Sequence, residues 1–223
     1  LQQLSACHAF LQKDVLIQDA QIFHIDIDPL KQQMPVFYLA AMARYRADSC
    51  TAITQLTKVL STEAYAKKFS TDEYSQKWET LAKEHAARLD KVVQVSQPKE
   101  DGTFGTGHLC RTLRKIAPQD TIWAIEAVTG TGFVADNIQA TLPGSWINCG
   151  GGGLGWSGGG ALGIKLASEF ESGGKGKFVC QIVGDGTYLF TVPGSVYWIC
   201  QRYNIPILTI VLNNEGKKTP TYH

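Results

Sequence analysis

The sequence predicts an α/β fold built on a doubly wound parallel sheet, and two observations in the second half of the 223-residue chain carry this prediction. Three short apolar runs have the length of buried strands, namely TIWAIE (121–126), FVCQIV (178–183) and PILTIVL (206–212). Longer segments of helical character separate them, and strands that alternate with helices favour parallel pairing with helices on both faces. Ligands of such sheets bind beyond the carboxyl ends of the strands, where the loops converge.

The beginning of the chain predicts a strand and a long helix. QIFHIDIDP (21–29) alternates apolar and polar residues and stops at a proline, which indicates a buried strand that ends in two acidic residues. After a mixed segment to about Leu60, Ser70 and Glu73 have the spacing of a capping box. The apolar residues that follow recur at helical spacing, which predicts one amphipathic helix. These residues are Tyr74, Trp78, Leu81, Ala82, His85 and Leu89.

Three further helices accompany the strands of the second half. A short one is expected to end before Pro118, because proline cannot continue a helix. The glycine-rich stretch 150–163 opens a helix that ends near Phe170, and apolar residues at helical spacing predict another over 192–203. Ahead of them, residues 94–105 mix proline, glycine and charge without periodicity, as linkers do.

Composition and charge argue against several classes of partner. Lys+Arg (21) and Asp+Glu (20) balance to a formal net charge of +1, which gives no electrostatic footprint for nucleic acid. No apolar run approaches the roughly 20 residues that span a bilayer, so we expect no membrane partner. The opening residues lack the pattern of a signal peptide, and we expect a cytoplasmic location, with an organellar one left open. The six cysteines form no CxxC pair, which favours reduced thiols, although their even number leaves disulfides open.

The segment GDGT (184–187) follows one predicted strand and precedes a helix. Its glycines let the backbone turn sharply and approach a ligand closely. A helix start favours anionic oxygens, and Asp185 can ligate a hard cation. Taken alone, the motif is weak, because Asp-Gly is also a common pair in ordinary turns.

A second motif strengthens the first. Between GDG and Asn213-Asn214 lie 26 residues, 187–212, which is enough for one helix and one strand. The chain therefore returns to the neighbouring strand end, where Asp185 and Asn214 are expected to meet. Together with the carbonyl of Gly216 they would offer three oxygens to one magnesium ion, which prefers oxygen ligands and shares its coordination with phosphates and water.

These motifs resemble those of a known family. GDG, an interval of this length and then NN is similar to the cofactor motif of thiamine-diphosphate enzymes of the acetolactate synthase, pyruvate decarboxylase and benzoylformate decarboxylase group. The resemblance extends to HIDIDP (24–29), LPGSWINCGGGGLGWSGGGALGIKLA (142–167) and RYNIPILTIVLNN (202–214), and it covers roughly residues 20–216. It implies thiamine diphosphate and magnesium as cofactors.

The resemblance also implies a role for individual residues. The hydroxyls of Thr129 and Thr187 would donate hydrogen bonds to the diphosphate. The carbonyl of Gly152 would accept a hydrogen from the cofactor's amino group, and Leu154 would hold its two rings in a bent conformation. The metal ligands implied are Asp185, Asn214 and Gly216. The full set of cofactor-binding residues implied is Thr129, Gly152, Leu154, Gly184, Asp185, Gly186, Thr187 and Asn214.

Three regions follow from the resemblance. Residues 1–60 would be the tail of a Rossmann-like central domain, 61–97 a connecting helix and linker, and 98–223 an incomplete diphosphate- and magnesium-binding domain. Relatives are much longer, so we expect this chain to be a fragment. The glutamate that activates the cofactor is expected on an absent domain, which leaves the catalytic residues of this chain unknown. The intact enzyme is expected to be a homodimer or homotetramer.

The leading functional hypothesis is a 2-oxo acid decarboxylase or carboligase that acts on a 2-oxo acid or an aldehyde. A non-catalytic cofactor-binding or assembly module is the alternative, and a dinucleotide-binding oxidoreductase is a third possibility because glycine-rich turns serve both kinds of cofactor. The substrate, the choice between cleavage and ligation, and the use of a flavin stay open.

Three positions near the motifs have more than one interpretation. Glu126 could be a general acid, but its place ahead of the predicted diphosphate loop favours a local structural hydrogen bond. Trp156 is bulkier than the usual residue after GLG in the family, and it lines the substrate pocket or fills the core. Glu215 and Lys217 depart from the family's residues after NN, which leaves the geometry of that loop open.

Overall fold

A computed structural model describes residues 21–30, 41–150 and 153–214 of the chain. The chain divides into two compact units, residues 1–86 and 87–223. In the first unit, two strands pair in parallel and three helices follow, the last of which continues into the second unit. These elements are β1 (Phe23–Asp26), β2 (Ala43–Arg46), α1 (Ser49–Leu60), α2 (Glu63–Phe69) and α3 (Asp72–Val95).

The first unit confirms the predicted strand and long helix and corrects two details. β1 was expected to be buried, but none of its residues is, and Phe23 is 51% exposed. The capping box is wrong because Ser70 Oγ donates instead to the carbonyl of Ala66, 2.7 Å away, at the end of α2. Glu73 instead pairs with Lys77 one turn along α3, at 2.7 Å.

The second unit alternates helices and strands as the sequence predicts. Its helices are α4 (Thr106–Ile116), α5 (Thr131–Ile138), α6 (Trp156–Glu171), α7 (Asp185–Phe190) and α8 (Pro193–Arg202). Its strands are β3 (Ile122–Glu126), β4 (Trp146–Asn148), β5 (Val179–Gly184) and β6 (Leu208–Leu212). The predicted strands and helices are all present, whereas α5, α7 and β4 were not predicted. No helix in the part of the chain that the structure describes is long and apolar enough to cross a membrane.

All four strands of this unit are parallel, in the order β4-β3-β5-β6, with helices on both faces. Alternate residues of β5 point to opposite faces, so Cys180 and Ile182 pack with α4 and α5, while Val179 packs with α6. The doubly wound parallel fold is therefore confirmed. β3 lies in the centre with every residue buried, which explains its continuous apolar run.

Two buried thiols make this core sensitive to alkali. Burial raises the pKa of Cys110 to about 11 and that of Cys180 to about 12, from an ordinary value of 9.0. Each thiol stays neutral in the folded state while the unfolded chain ionises, so stability is complete below about pH 9 and falls above it. We expect the free energy of unfolding to fall by up to about 1.4 kcal/mol per thiol for each pH unit above 9.

Urea unfolding between pH 8 and pH 10 measures this loss. The double variant Cys110→Ala/Cys180→Ala is expected to be less stable at pH 8 but to lose less stability on going to pH 10. An equal alkaline loss in the double variant and the wild type would contradict the prediction.

Candidate functional site

The ends of β5 and β6 bring the predicted metal ligands to neighbouring positions. Gly184 is paired with Leu212 in the parallel register, so Asp185 and Asn213 are the next residue on each chain segment, and Asn214 follows. Asp185 is half-buried, whereas Asn214 is exposed. The structure therefore brings a carboxylate and an amide to the same edge of the sheet, as the spacing predicts. Their roles as metal ligands stay a prediction.

A third loop joins this edge from β3. A 3₁₀ turn, Val128–Gly130, holds Thr129 in an exposed position. A Cβ atom built on Gly130 would lie 3.9 Å from Cδ1 of Leu212, so the turn reaches across to the end of β6. Val128 has a φ of 41°, which is uncommon for a β-branched residue and marks a strained backbone beside the predicted diphosphate ligand.

The glycine-rich loop before α6 packs against the segment that follows GDGT. Gly155 has a φ of 104°, and a Cβ atom there would lie 2.5 Å from the carbonyl oxygen of Phe190. One turn into the helix, a Cβ atom on Gly158 would lie 2.8 Å from Cβ of Thr191. Glycine is thus required at these positions by the close approach of α6 to the end of α7. Leu154, the predicted wedge residue, is half-buried in this loop.

Glu126 is a buried carboxylate at the end of β3, with 2% of its surface exposed. Its Oε1 accepts hydrogen bonds from the backbone N–H groups of Gly155 (3.0 Å) and Trp156 (3.2 Å), and Oε2 accepts one from Ser157 (2.7 Å). These N–H groups lie at the start of α6, where backbone donors have no acceptor within the helix. The N-cap residue of α6, Gly155, has no side chain that could accept them. A structural role for Glu126 is confirmed, but its partners are about thirty residues away rather than local.

A polar network that sequence reasoning missed lies under this loop. Gln181, fully buried in β5, donates from Nε2 to Ser157 Oγ at 2.9 Å. Its Oε1 accepts from Thr209 Oγ1 of β6 at 2.9 Å, and Tyr197 OH lies 3.5 Å away. The network therefore links the first turn of α6 to the strand that precedes Asn214. A glutamine inside an otherwise apolar strand was the sequence signal that could have revealed it.

The remaining predicted residues differ in accessibility. Thr187 lies in the first turn of α7 and is only 4% exposed, whereas Gly186 is half-buried with open space around it. Trp156 is 37% exposed and its ring lies over Gly160, so it belongs to the surface of α6 rather than to the core. Gly152, Gly216, Glu215 and Lys217 lie outside the described residues.

The donor set at the strand ends suits a hard cation. Within residues 21–30, 41–150 and 153–214, no three His, Cys, Asp or Glu side chains group as a metal site. The side chains at this edge that the structure describes, Asp185 and Asn214, offer a carboxylate oxygen and an amide oxygen. Magnesium accepts such a set, whereas zinc prefers nitrogen and sulfur.

The segment that carries this site matches a known protein family. Residues 128–219 match the family described as thiamine pyrophosphate enzyme, C-terminal TPP binding domain; thiamine pyrophosphate is another name for thiamine diphosphate. This segment is therefore similar to the cofactor-binding domain of that family. It contains all the predicted ligands, from Thr129 to Gly216, and Glu126 lies just before it. The resemblance drawn from the motifs is therefore confirmed.

Solved structures of thiamine-diphosphate enzymes share the fold. A Mycobacterium smegmatis protein assigned as a thiamin diphosphate-dependent enzyme matches with a TM-score of 0.63 at 18% identity, over 93% of this chain and 35% of its own. The 4-hydroxybenzoylformate decarboxylase of Rhodococcus jostii RHA1 matches with a TM-score of 0.62 at 20% identity, over 90% and 32% respectively. The chain thus spans about a third of the length of these proteins.

Proposed function

We propose that this chain supplies the diphosphate- and magnesium-binding half of the active site of a thiamine-diphosphate-dependent 2-oxo acid decarboxylase or carboligase. The observation that carries the proposal is the register of β5 and β6, which sets Asp185 and Asn214 at neighbouring strand ends inside the segment that matches the family. Thr129 stands on a third loop that reaches the same edge.

The residues fit the cofactor chemically. Asp185 and Asn214 would hold magnesium with the carbonyl of Gly216, and the ion would neutralise the diphosphate. Thr129 would donate to a diphosphate oxygen, and Leu154 would support the rings. When bound, the cofactor supplies a nucleophilic carbon and an electron sink for bond cleavage beside a carbonyl. The task of this chain is to bind and orient the cofactor.

A 2-oxo acid or an aldehyde is the substrate class that we propose. Its support is the family resemblance and the fold shared with an enzyme named as a 4-hydroxybenzoylformate decarboxylase. The site would be completed by other domains in a homodimer or homotetramer, from which the activating glutamate would come.

Calorimetric titration with thiamine diphosphate tests the proposal. We expect binding to the full chain to weaken at least about tenfold, or about 1.4 kcal/mol, when magnesium is removed with EDTA. Asp185→Ala is expected to cause a similar loss and to abolish the effect of magnesium, because it removes the carboxylate ligand. The matched control is Asp120→Ala, which removes an exposed carboxylate just before the amino end of β3, whereas the site lies at the carboxyl ends of the strands. This variant is expected to bind thiamine diphosphate as the wild type does.

Two outcomes would contradict the proposal. Equal binding with and without magnesium would exclude the metal role, and tighter binding of NAD than of thiamine diphosphate would favour a dinucleotide site instead. Release of carbon dioxide from 2-oxo acids by the assembled enzyme separates a catalytic role from a non-catalytic cofactor-binding module.

A further inference from the structure

One side chain connects two of the segments that form the candidate site. Glu126 ends β3 and lies three residues before Thr129, while its carboxylate binds the loop that carries Leu154. No other side chain caps this end of α6, among the residues that the structure describes. The hydrogen bonds to this carboxylate therefore fix the loop directly to the end of β3.

Both oxygens of Glu126 are engaged. Oε1 accepts from Gly155 and Trp156, and Oε2 accepts from Ser157. A carboxylate that is buried and shared among three N–H groups holds their positions more strongly than a neutral acceptor would. It also complements the positive end of the α6 dipole.

The loop that it holds has little freedom of its own. Gly155 is in the left-handed region, and a Cβ atom there would contact the end of α7. Ser157 is fixed a second time through its hydroxyl by Gln181. A shift of this loop would consequently move Leu154 relative to both the GDGT segment and the turn that holds Thr129.

We infer that Glu126 is a positioning residue of the cofactor site, which fixes the loop that supports the cofactor's rings to the strand end that precedes its diphosphate ligand. The inference rests on the proposed function. It predicts that a change of Glu126 weakens thiamine diphosphate binding more than a change elsewhere in the core that only destabilises the fold.

Glu126→Gln is the most direct test because the amide keeps the size of the side chain. Its NH₂ group is a donor, however, so it cannot accept the hydrogen bond on that side, and the charge is lost. We expect backbone amide exchange at residues 155–157 to accelerate at least about tenfold. We also expect thiamine diphosphate, titrated with magnesium into the full chain, to bind at least about tenfold more weakly.

Leu113→Ala is the matched control. Leu113 is buried against the opposite face of the sheet, so its loss lowers the melting temperature without touching the loop. Affinity is compared at a temperature where both variants are folded. If Glu126→Gln does not fold, Glu126→Asp serves the same comparison, since it keeps the charge and shortens the reach by one methylene group.

The outcomes separate the two proposals. Weaker binding in the Glu126 variant than in Leu113→Ala, with faster exchange confined to residues 155–157, supports the inference. Equal affinities in the two variants would overturn it and leave Glu126 as a helix cap alone. Absence of thiamine diphosphate binding by the wild type would instead reject the proposed function, and this inference with it.

Discussion

Gly155→Ala is expected to lower the free energy of unfolding by roughly 3 kcal/mol or more. The residue has a φ of 104°, which strains any side chain, and the new Cβ atom would lie 2.5 Å from the oxygen and 2.9 Å from the carbon of the Phe190 carbonyl. These are backbone atoms, so no side-chain rotation can relieve the overlap. Urea unfolding followed by circular dichroism measures the loss.

The same helix offers a control for this substitution. A Cβ atom on Gly159 meets nothing within 4 Å, and the residue lies in the exposed interior of α6. Gly159→Ala is therefore expected to raise the free energy of unfolding by about 1 kcal/mol, because alanine favours the helix. A destabilisation of similar size by both substitutions would contradict the close approach of the loop to α7.

The central strands could be predicted because their environment is uniform. β3 is buried along its whole length, so it shows as a continuous apolar run. β4 has only three residues and shows no alternation in a segment with many glycines. α5 is followed by Gln139 in a left-handed conformation (φ 47°). Glycine is the usual residue at such a position, so the end of this helix was not recognisable from the sequence. The burial of β1 was predicted wrongly, because alternation alone does not show whether another element covers a strand.

The site could be predicted only where it depends on topology. Asp185 and Asn214 lie at neighbouring strand ends because one helix and one strand fit between their motifs, a property that sequence spacing records. The partners of Glu126 and Gln181 depend on strand register and on which helix covers which face of the sheet. These are long-range properties, and a single sequence holds no local pattern for them.

Gln181→Leu is expected to lower the free energy of unfolding by about 2–3 kcal/mol. Gln181 is fully buried, and its amide is paired on both sides, with Ser157 Oγ and Thr209 Oγ1 each at 2.9 Å. Leucine has similar bulk but leaves the buried hydroxyl of Ser157 and the half-buried hydroxyl of Thr209 without this partner. The cost therefore comes from the desolvated hydroxyls more than from the lost packing.

The triple variant Gln181→Leu/Ser157→Ala/Thr209→Val tests this explanation. It removes the two hydroxyls together with the amide, and we expect it to recover most of the stability lost in Gln181→Leu, because replacing every partner by an apolar group can be nearly neutral. Ser157→Ala keeps the backbone N–H that Glu126 binds, so the α6 cap is unchanged. A triple variant less stable than Gln181→Leu would show that packing around Gln181, and not hydrogen bonding, stabilises the junction between α6 and β6.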